Sequence, residues 1–234
     1  SLSDALTRRD RPALLGAYAE VYARLNEKYG ITHFYFHLPD RVNLLRVHQP
    51  NKFGDLIERF TARKAEQTGK AASGIELGPL GTFTLRVVLP VIDGNRLIGY
   101  LELGKEIEDI LSTLHDEYGI ELAVTIRKDA LKRSQWEEGM AMLGREGYWD
   151  QLSGVALIYT SLPRLPEEWG RYVDKHDHTA HELTTFTKFD DKSWHILVTP
   201  LIDVSGTDVG DMFIFLDVSK IMARLNWLVV MVLG

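Results

Sequence analysis

The stretch His33-Phe34-Tyr35-Phe36-His37-Leu38-Pro39-Asp40-Arg41-Val42-Asn43-Leu44-Leu45-Arg46-Val47-His48 decides how the rest of the chain is read. Phe34, Phe36, Leu45 and Val47 alternate with His33, Tyr35, His37, Arg46 and His48. A period of two sends successive side chains to opposite faces of a strand. Two strands are therefore expected, Ile31–His37 and Asn43–His48, with one apolar and one polar face.

Further strands are expected at Gly74–Leu77, Thr82–Ile92 and Arg96–Gly104, the last two a hairpin across Asp93-Gly94-Asn95. Between Pro50 and Gly74 lies a charged helical piece, Gly54–Thr68. Upstream, Leu14, Ala17, Tyr18, Val21, Tyr22 and Leu25 recur at helical spacing within Ser3–Tyr29, Gly30 stops the run, and Pro12 kinks or restarts it. Downstream, Ile107–Tyr118 reads as a connecting helix. The theme then returns: strand Ile120–Arg127, helical Asp129–Leu143, strand Val155–Ser161, strands Glu182–Phe189 and His195–Leu201 across Asp190-Asp191-Lys192-Ser193, and strand Asp208–Asp217 after Ser205-Gly206.

The expected fold class is α+β: a long N-terminal helix (residues 1–30), then two lobes (31–118 and 119–218), each an antiparallel sheet flanked by helices. The lobes agree in element order, not in sequence. Residues 219–234 are expected to begin a membrane-entering helix. The apolar run Trp227-Leu228-Val229-Val230-Met231-Val232-Leu233-Gly234 is far short of the about 20 residues a span requires, and the alternative is a buried C-terminal helix. With Ser at position one and no signal peptide in view, the chain reads as a fragment of a longer protein.

A net charge of −6 over 234 residues, with no dense Lys/Arg cluster, argues against nucleic acid as a partner. The absence of cysteine removes disulfides, thiol catalysis and Cys-ligated zinc.

In the first lobe, alternation gathers Phe34, Phe36, Leu45, Val47, Phe83, Leu85, Val87, Leu89, Leu97, Leu101 and Leu103 into an apolar core under the N-terminal helix. The opposite face collects His33, Tyr35, His37, Arg46, His48, Thr84, Arg86, Tyr100 and Glu102. A polar outer face is ordinary for an antiparallel sheet. This one contains no Lys, is rich in His, Tyr and Arg, and lies opposite Pro50–Gly78, a segment long enough to cover it. That combination favours a ligand pocket. Two arginines in one cavity need partners; Glu102 or Glu76 can satisfy one, leaving the other for a carboxylate or phosphate. Histidines ionising near neutrality would make binding pH-sensitive.

The run His33–Pro50, with Phe53-Gly54-Asp55-Leu56, Gly74-Ile75-Glu76-Leu77-Gly78, Arg86 and Gly99-Tyr100-Leu101-Glu102-Leu103-Gly104, resembles the third class of double-Cache sensor domains. The match spans residues 31–104; over the second lobe it is architectural only. The resemblance implies a PAS-like fold and the extracytoplasmic sensor of a chemoreceptor, sensor kinase or diguanylate cyclase. It also implies a small ligand in one lobe.

The ligand set expected is His33, Tyr35, His37, Arg46, His48, Glu76, Arg86, Tyr100 and Glu102. The ligand class is a small anion such as acetate or a short dicarboxylate. The flanking helices are expected to engage the membrane, and the N-terminal helix a second copy of the chain. No cofactor is expected. No catalytic residue is expected either: nucleophile elbows, His-Glu-x-x-His helices and phosphate-binding glycine loops are missing. His176, His178 and His181 leave a metal-binding sensor open as the alternative, against a solvated loop, and a soluble binding protein is the other.

Overall fold

A computed structural model describes residues 1–78, 81–142, 149–163, 166, 169, 173 and 183–233. The chain divides into two compact units, the first made of Ser1–Gly78, Thr82–Asp109 and Asp203–Thr207, the second of the remainder.

The N-terminal helical stretch is two helices, α1 (Leu2–Thr7) and α2 (Arg11–Tyr29). Pro12 restarts the helix: it sits in the first turn of α2, where its missing N–H costs nothing, and the Asp10 carboxylate caps that turn by accepting from Ala13 N–H at 3.0 Å. Gly30 closes α2 in the left-handed conformation.

The first sheet contains β1 (His33–His37), β2 (Asn43–Arg46), β3 (Ala72–Leu77), β4 (Phe83–Asp93) and β5 (Arg96–Glu106). Its order is β2-β1-β5-β4-β3, antiparallel throughout. Between β2 and β3, helix α3 (Phe60–Thr68) is shorter than the charged run predicted; residues before it instead make a bridge between Val42 and Leu56. Glu76 replaces the missing cap residue of α3, accepting from Phe60 N–H and from the Thr61 hydroxyl at 2.8 Å.

Register confirms the division of side chains. Arg46 lies opposite Tyr35, Tyr35 opposite Glu102, and Glu102 opposite Val88. One face packs on α1 and α2 through Phe34, Phe36, Leu45 and Val47, against Leu6, Leu14 and Tyr18. On that face of β4, however, the cluster under the helices takes in only Val91. Phe83 is buried, but Leu85, Val87 and Leu89 on β4 are 38%, 45% and 47% exposed, so they are not the core residues that alternation predicts. The other face is the covered one: Tyr35, His37, Thr84, Arg86, Tyr100 and Glu102 are all at most 5% exposed. Ile57, Ala62 and Ala65 from the β2–β3 segment pack there on Val88 and Tyr100.

Helix α4 (Ile107–Tyr118) has the predicted bounds. The second sheet contains β6 (Glu121–Arg127), β7 (Val155–Thr160), β8 (Leu183–Phe189), β9 (Lys192–Ile202) and β10 (Asp208–Asp217), in the order β7-β6-β10-β9-β8. Renumbered from its own first strand, this is the order of the first sheet. Asp190 and Asp191 both have positive φ (49° and 58°), which makes the β8–β9 turn tighter than the four-residue turn predicted. Helix α5 (Arg133–Met142) and helix α6 (Ser219–Leu233) complete the described elements.

Candidate ligand-binding site

The buried face of the first sheet is organised around Glu102, fully buried at the centre of β5. Its carboxylate accepts from Arg86 Nη1 at 2.8 Å, from Arg59 Nη2 at 2.7 and 2.8 Å, and contacts His37 Nε2 at 2.8 Å. Burial pushes its pKa up, but Arg59, the His37 hydrogen bond and Arg86 together hold it well below the carboxylate range. A carboxylate held that firmly ionised is a poor general acid or base.

The sheet makes room for this group by means of a glycine. Arg86 lies between Gly74 and Gly104 in the ladder. A Cβ on Gly104 would come within 2.9 Å of Thr84 Cγ2 and 3.1 Å of His33 Cβ, and 3.5 Å from Arg86 Nη1. The second Arg86 nitrogen, Nη2, donates to Thr84 Oγ1 at 3.2 Å, and Thr84 donates to Glu106 Oε1 at 3.2 Å.

Beside this core lies an aromatic wall. Tyr35 stacks with His33 at 6.0 Å and meets His48 edge-on at 4.8 Å. The guanidinium carbons of Arg46 and Arg59 stand 5.3 and 4.9 Å from the Tyr35 ring centre. Arg46 does not wait unpaired: it clasps Asp55 bidentately, Nη1 to Oδ1 at 2.7 Å and Nη2 to Oδ2 at 2.6 Å. That clasp holds the Asp55 pKa at about 2, although the Asp55 side chain is half exposed.

The histidines do not ionise near neutrality. Burial, with Arg86 adding to it, pushes His33 down to about 2; burial brings His48 to about 4 and lowers His37 too. All three are neutral at pH 7, so the pH-sensitivity expected there is absent near neutrality. Neutral His37 donates from Nε2 to the ionised Glu102, which leaves Nδ1 as a bare acceptor; that atom is buried without a partner. The Nε atoms of Arg59 and Arg86 and the Tyr100 hydroxyl are also buried without partners. Such unmet polar atoms are costly in a sheet interior and call for a bound acceptor or donor.

Of the nine residues singled out from sequence, His33, Tyr35, His37, Arg46, His48, Arg86 and Glu102 come together here. Glu76 faces the same side but is spent capping α3, and Tyr100 packs against Ile57, Ala62 and Ala65. Two participants were missed. Arg59 and Asp55 lie between β2 and α3, where strand periodicity does not apply, and nothing separates Arg59 from Arg63 and Lys64 by composition. The covering segment is also shorter than Pro50–Gly78, because Ala72–Leu77 is the edge strand β3. Residues His176, His178 and His181 lie outside the described residues; among those described, no group of three or more His, Asp or Glu is placed to hold a metal ion.

No curated protein matches this chain. Among solved structures, it resembles the periplasmic domain of LuxQ from Vibrio cholerae at 13% identity, covering 93% of this chain and 85% of that one with a TM-score of 0.48. The sensor domain of the histidine kinase DctB from V. cholerae gives 11% identity, 92% and 83% coverage, and a TM-score of 0.45. The ligand-binding domain of the Campylobacter jejuni chemoreceptor Tlp3, in complex with 4-methylisoleucine, gives 10%, 93% and 82%, and 0.43. The profile of the third double-Cache family, described as the double sensory domain of two-component sensor kinases, matches residues 1–222. With the two like-ordered sheets and the residue pattern of the first lobe, this match places the chain in that family of double sensory domains.

Proposed function

We propose that this chain is the extracytoplasmic sensor of a membrane receptor, and that its first lobe binds a small carboxylate such as acetate or a short dicarboxylate. One observation carries the reading: Arg46, at the edge of the buried polar face, already holds a carboxylate in its fork, that of Asp55 from the covering segment. Guanidinium and carboxylate match in this bidentate geometry. Because Asp55 is half exposed, a carboxylate arriving from solvent can take its place. Arg59 and Arg86, each with an unpartnered Nε, supply further donors beside Tyr35 and Glu102.

Displacing Asp55 releases the stretch that also bears Lys52, whose carbonyl accepts from Arg46 at 2.9 Å. The same stretch is tied to α2: Arg11 donates to Pro50 O at 2.6 Å, and its guanidinium lies 3.3 Å above the Phe53 ring. Ligand capture at Arg46 thereby reaches the N-terminal helix, provided the ligand favours the released arrangement over the latched one. The N-terminal helix is the surface for a homodimer: Leu14 is the one fully buried residue of α2, which leaves most of that helix open to a second copy. At the other end of the chain, the exposed Trp227, Leu228, Val230, Met231 and Val232 of α6 support membrane attachment; no described helix is by itself long and apolar enough to cross a membrane.

Calorimetry with acetate and with succinate tests the site. Saturable binding is expected to be lost or greatly weakened in Arg46→Ala and in Arg86→Ala, and strengthened several-fold in Asp55→Asn, which removes the competing carboxylate but keeps the shape. Unchanged affinity in both arginine variants, or no saturable binding to the unaltered chain, overturns the reading.

A further inference from the structure

We infer a second anion site in the first unit, away from the polar face, that takes a small carboxylate with an aliphatic tail. A cleft of about 220 Å³ opens between the end of α1 and the β4–β5 hairpin. Its floor is apolar: Leu6, Leu38 and Ile98 are all buried, and Leu97 adjoins them. Its rim holds two exposed arginines, Arg9 and Arg96.

Neither guanidinium has a hydrogen-bond or ion-pair partner among the described residues. The carboxylates near them in sequence are engaged elsewhere: Asp4 with Ser1, Asp10 with Ala13 N–H, Asp40 with Val42 N–H, and Asp93 with the Ser3 hydroxyl at 2.6 Å. Arg9 also occupies an uncommon backbone conformation. Its φ is 55°, just past the C-cap of α1, where glycine is the favoured residue and a side chain is a net cost to folding. A residue that costs stability, pairs with nothing and stands at the mouth of an apolar cleft is explained by what enters the cleft.

The occupant follows from the lining. Two guanidiniums select a carboxylate. The floor offers four apolar side chains to a hydrocarbon tail, and the volume suits an acid of about four to six carbons, smaller than the drug-sized ligands of typical pockets. Each buried methylene strengthens binding roughly fourfold. The site is therefore distinguished from the Arg46 site by preference for butyrate and hexanoate over acetate.

Amide chemical shifts followed during titration with acetate, butyrate and hexanoate test this. Saturable shifts at Leu6, Leu97 and Ile98 are expected, tightening along the series. They should disappear in Arg96→Ala and in Arg9→Gly and persist in Arg46→Ala. Arg9→Gly is the informative variant, because glycine relieves the left-handed strain: its melting temperature should hold or rise while hexanoate binding is lost. Hexanoate shifts confined to the surroundings of Tyr35 and Glu102, shifts that do not saturate, or hexanoate binding retained in both Arg9→Gly and Arg96→Ala each overturn the inference.

Discussion

The two sheets share one strand order and differ in what they bury. In the first, the face toward the β2–β3 segment encloses Glu102, Arg86, His37 and Thr84, with Arg59 contributed from the cover. In the second, the corresponding central strands, β6, β10 and β9, contribute Ala123, Phe213, Phe215, Trp194, Ile196 and Val198 to one apolar cluster. Thr125 and Asp211, paired across β6 and β10, are the buried polar exceptions on those strands. A buried charge network is a poor way to gain stability, since desolvation consumes much of the Coulombic attraction. Among the described residues, the second lobe encloses a mainly apolar interior in the same frame. We propose that the polar interior of the first lobe is functional and that the second lobe is a spacer that transmits the signal without a ligand of its own.

The largest effect that can break this contrast is at Glu102. Glu102→Gln keeps the shape but leaves two guanidiniums around a neutral amide, and is expected to cost about 3–5 kcal/mol in denaturant unfolding. A cost near zero would mean that the network is solvated and the two interiors are alike in kind.

Acid should separate the lobes next. His33 and His48 protonate more weakly in the fold, at about 2 and about 4, than at their ordinary 6.5. The unfolded chain then binds more protons than the folded one below about pH 6.5. The stability associated with neutral burial is thus intact above that pH and falls by roughly 1.4 kcal/mol per unit per histidine as acidity increases. For His48 the loss is complete near pH 4, and for His33 near pH 2. Asp55, held at about 2, adds a loss of the same sign at lower pH still. His48→Gln should flatten the pH dependence of unfolding between 6.5 and 4; an unaltered slope would show that His48 is open to water.

The smallest expected effect is a null one, and it tests the spacer reading directly. Zinc or nickel added to the whole chain should leave the melting temperature unchanged. A saturable rise that vanishes in His178→Ala and His181→Ala would give the second lobe a ligand and end the contrast.

Local physics was enough for much of the fold. Alternation in His33–His48 assigned side chains to the correct faces, because a two-residue period has only two outcomes, and the bounds of α4 follow from Gly119 and the helical spacing before it. The residues that carry the family resemblance are likewise written in the chain. How far the cover extends over each face was decided by tertiary structure alone. Leu85, Val87 and Leu89 look like core and stand exposed because the cluster under α1 and α2 takes in only Val91 of that face of β4, whereas Glu102 is enclosed as Arg59 reaches it and Ile57, Ala62 and Ala65 pack beside it on Val88 and Tyr100. The pairing of Arg46 with Asp55 and of Glu102 with Arg59 joins residues 9 and 43 positions apart. Periodicity ranks positions along one element and says nothing about which charge on another element arrives opposite, so those partners became visible only once the chain was folded.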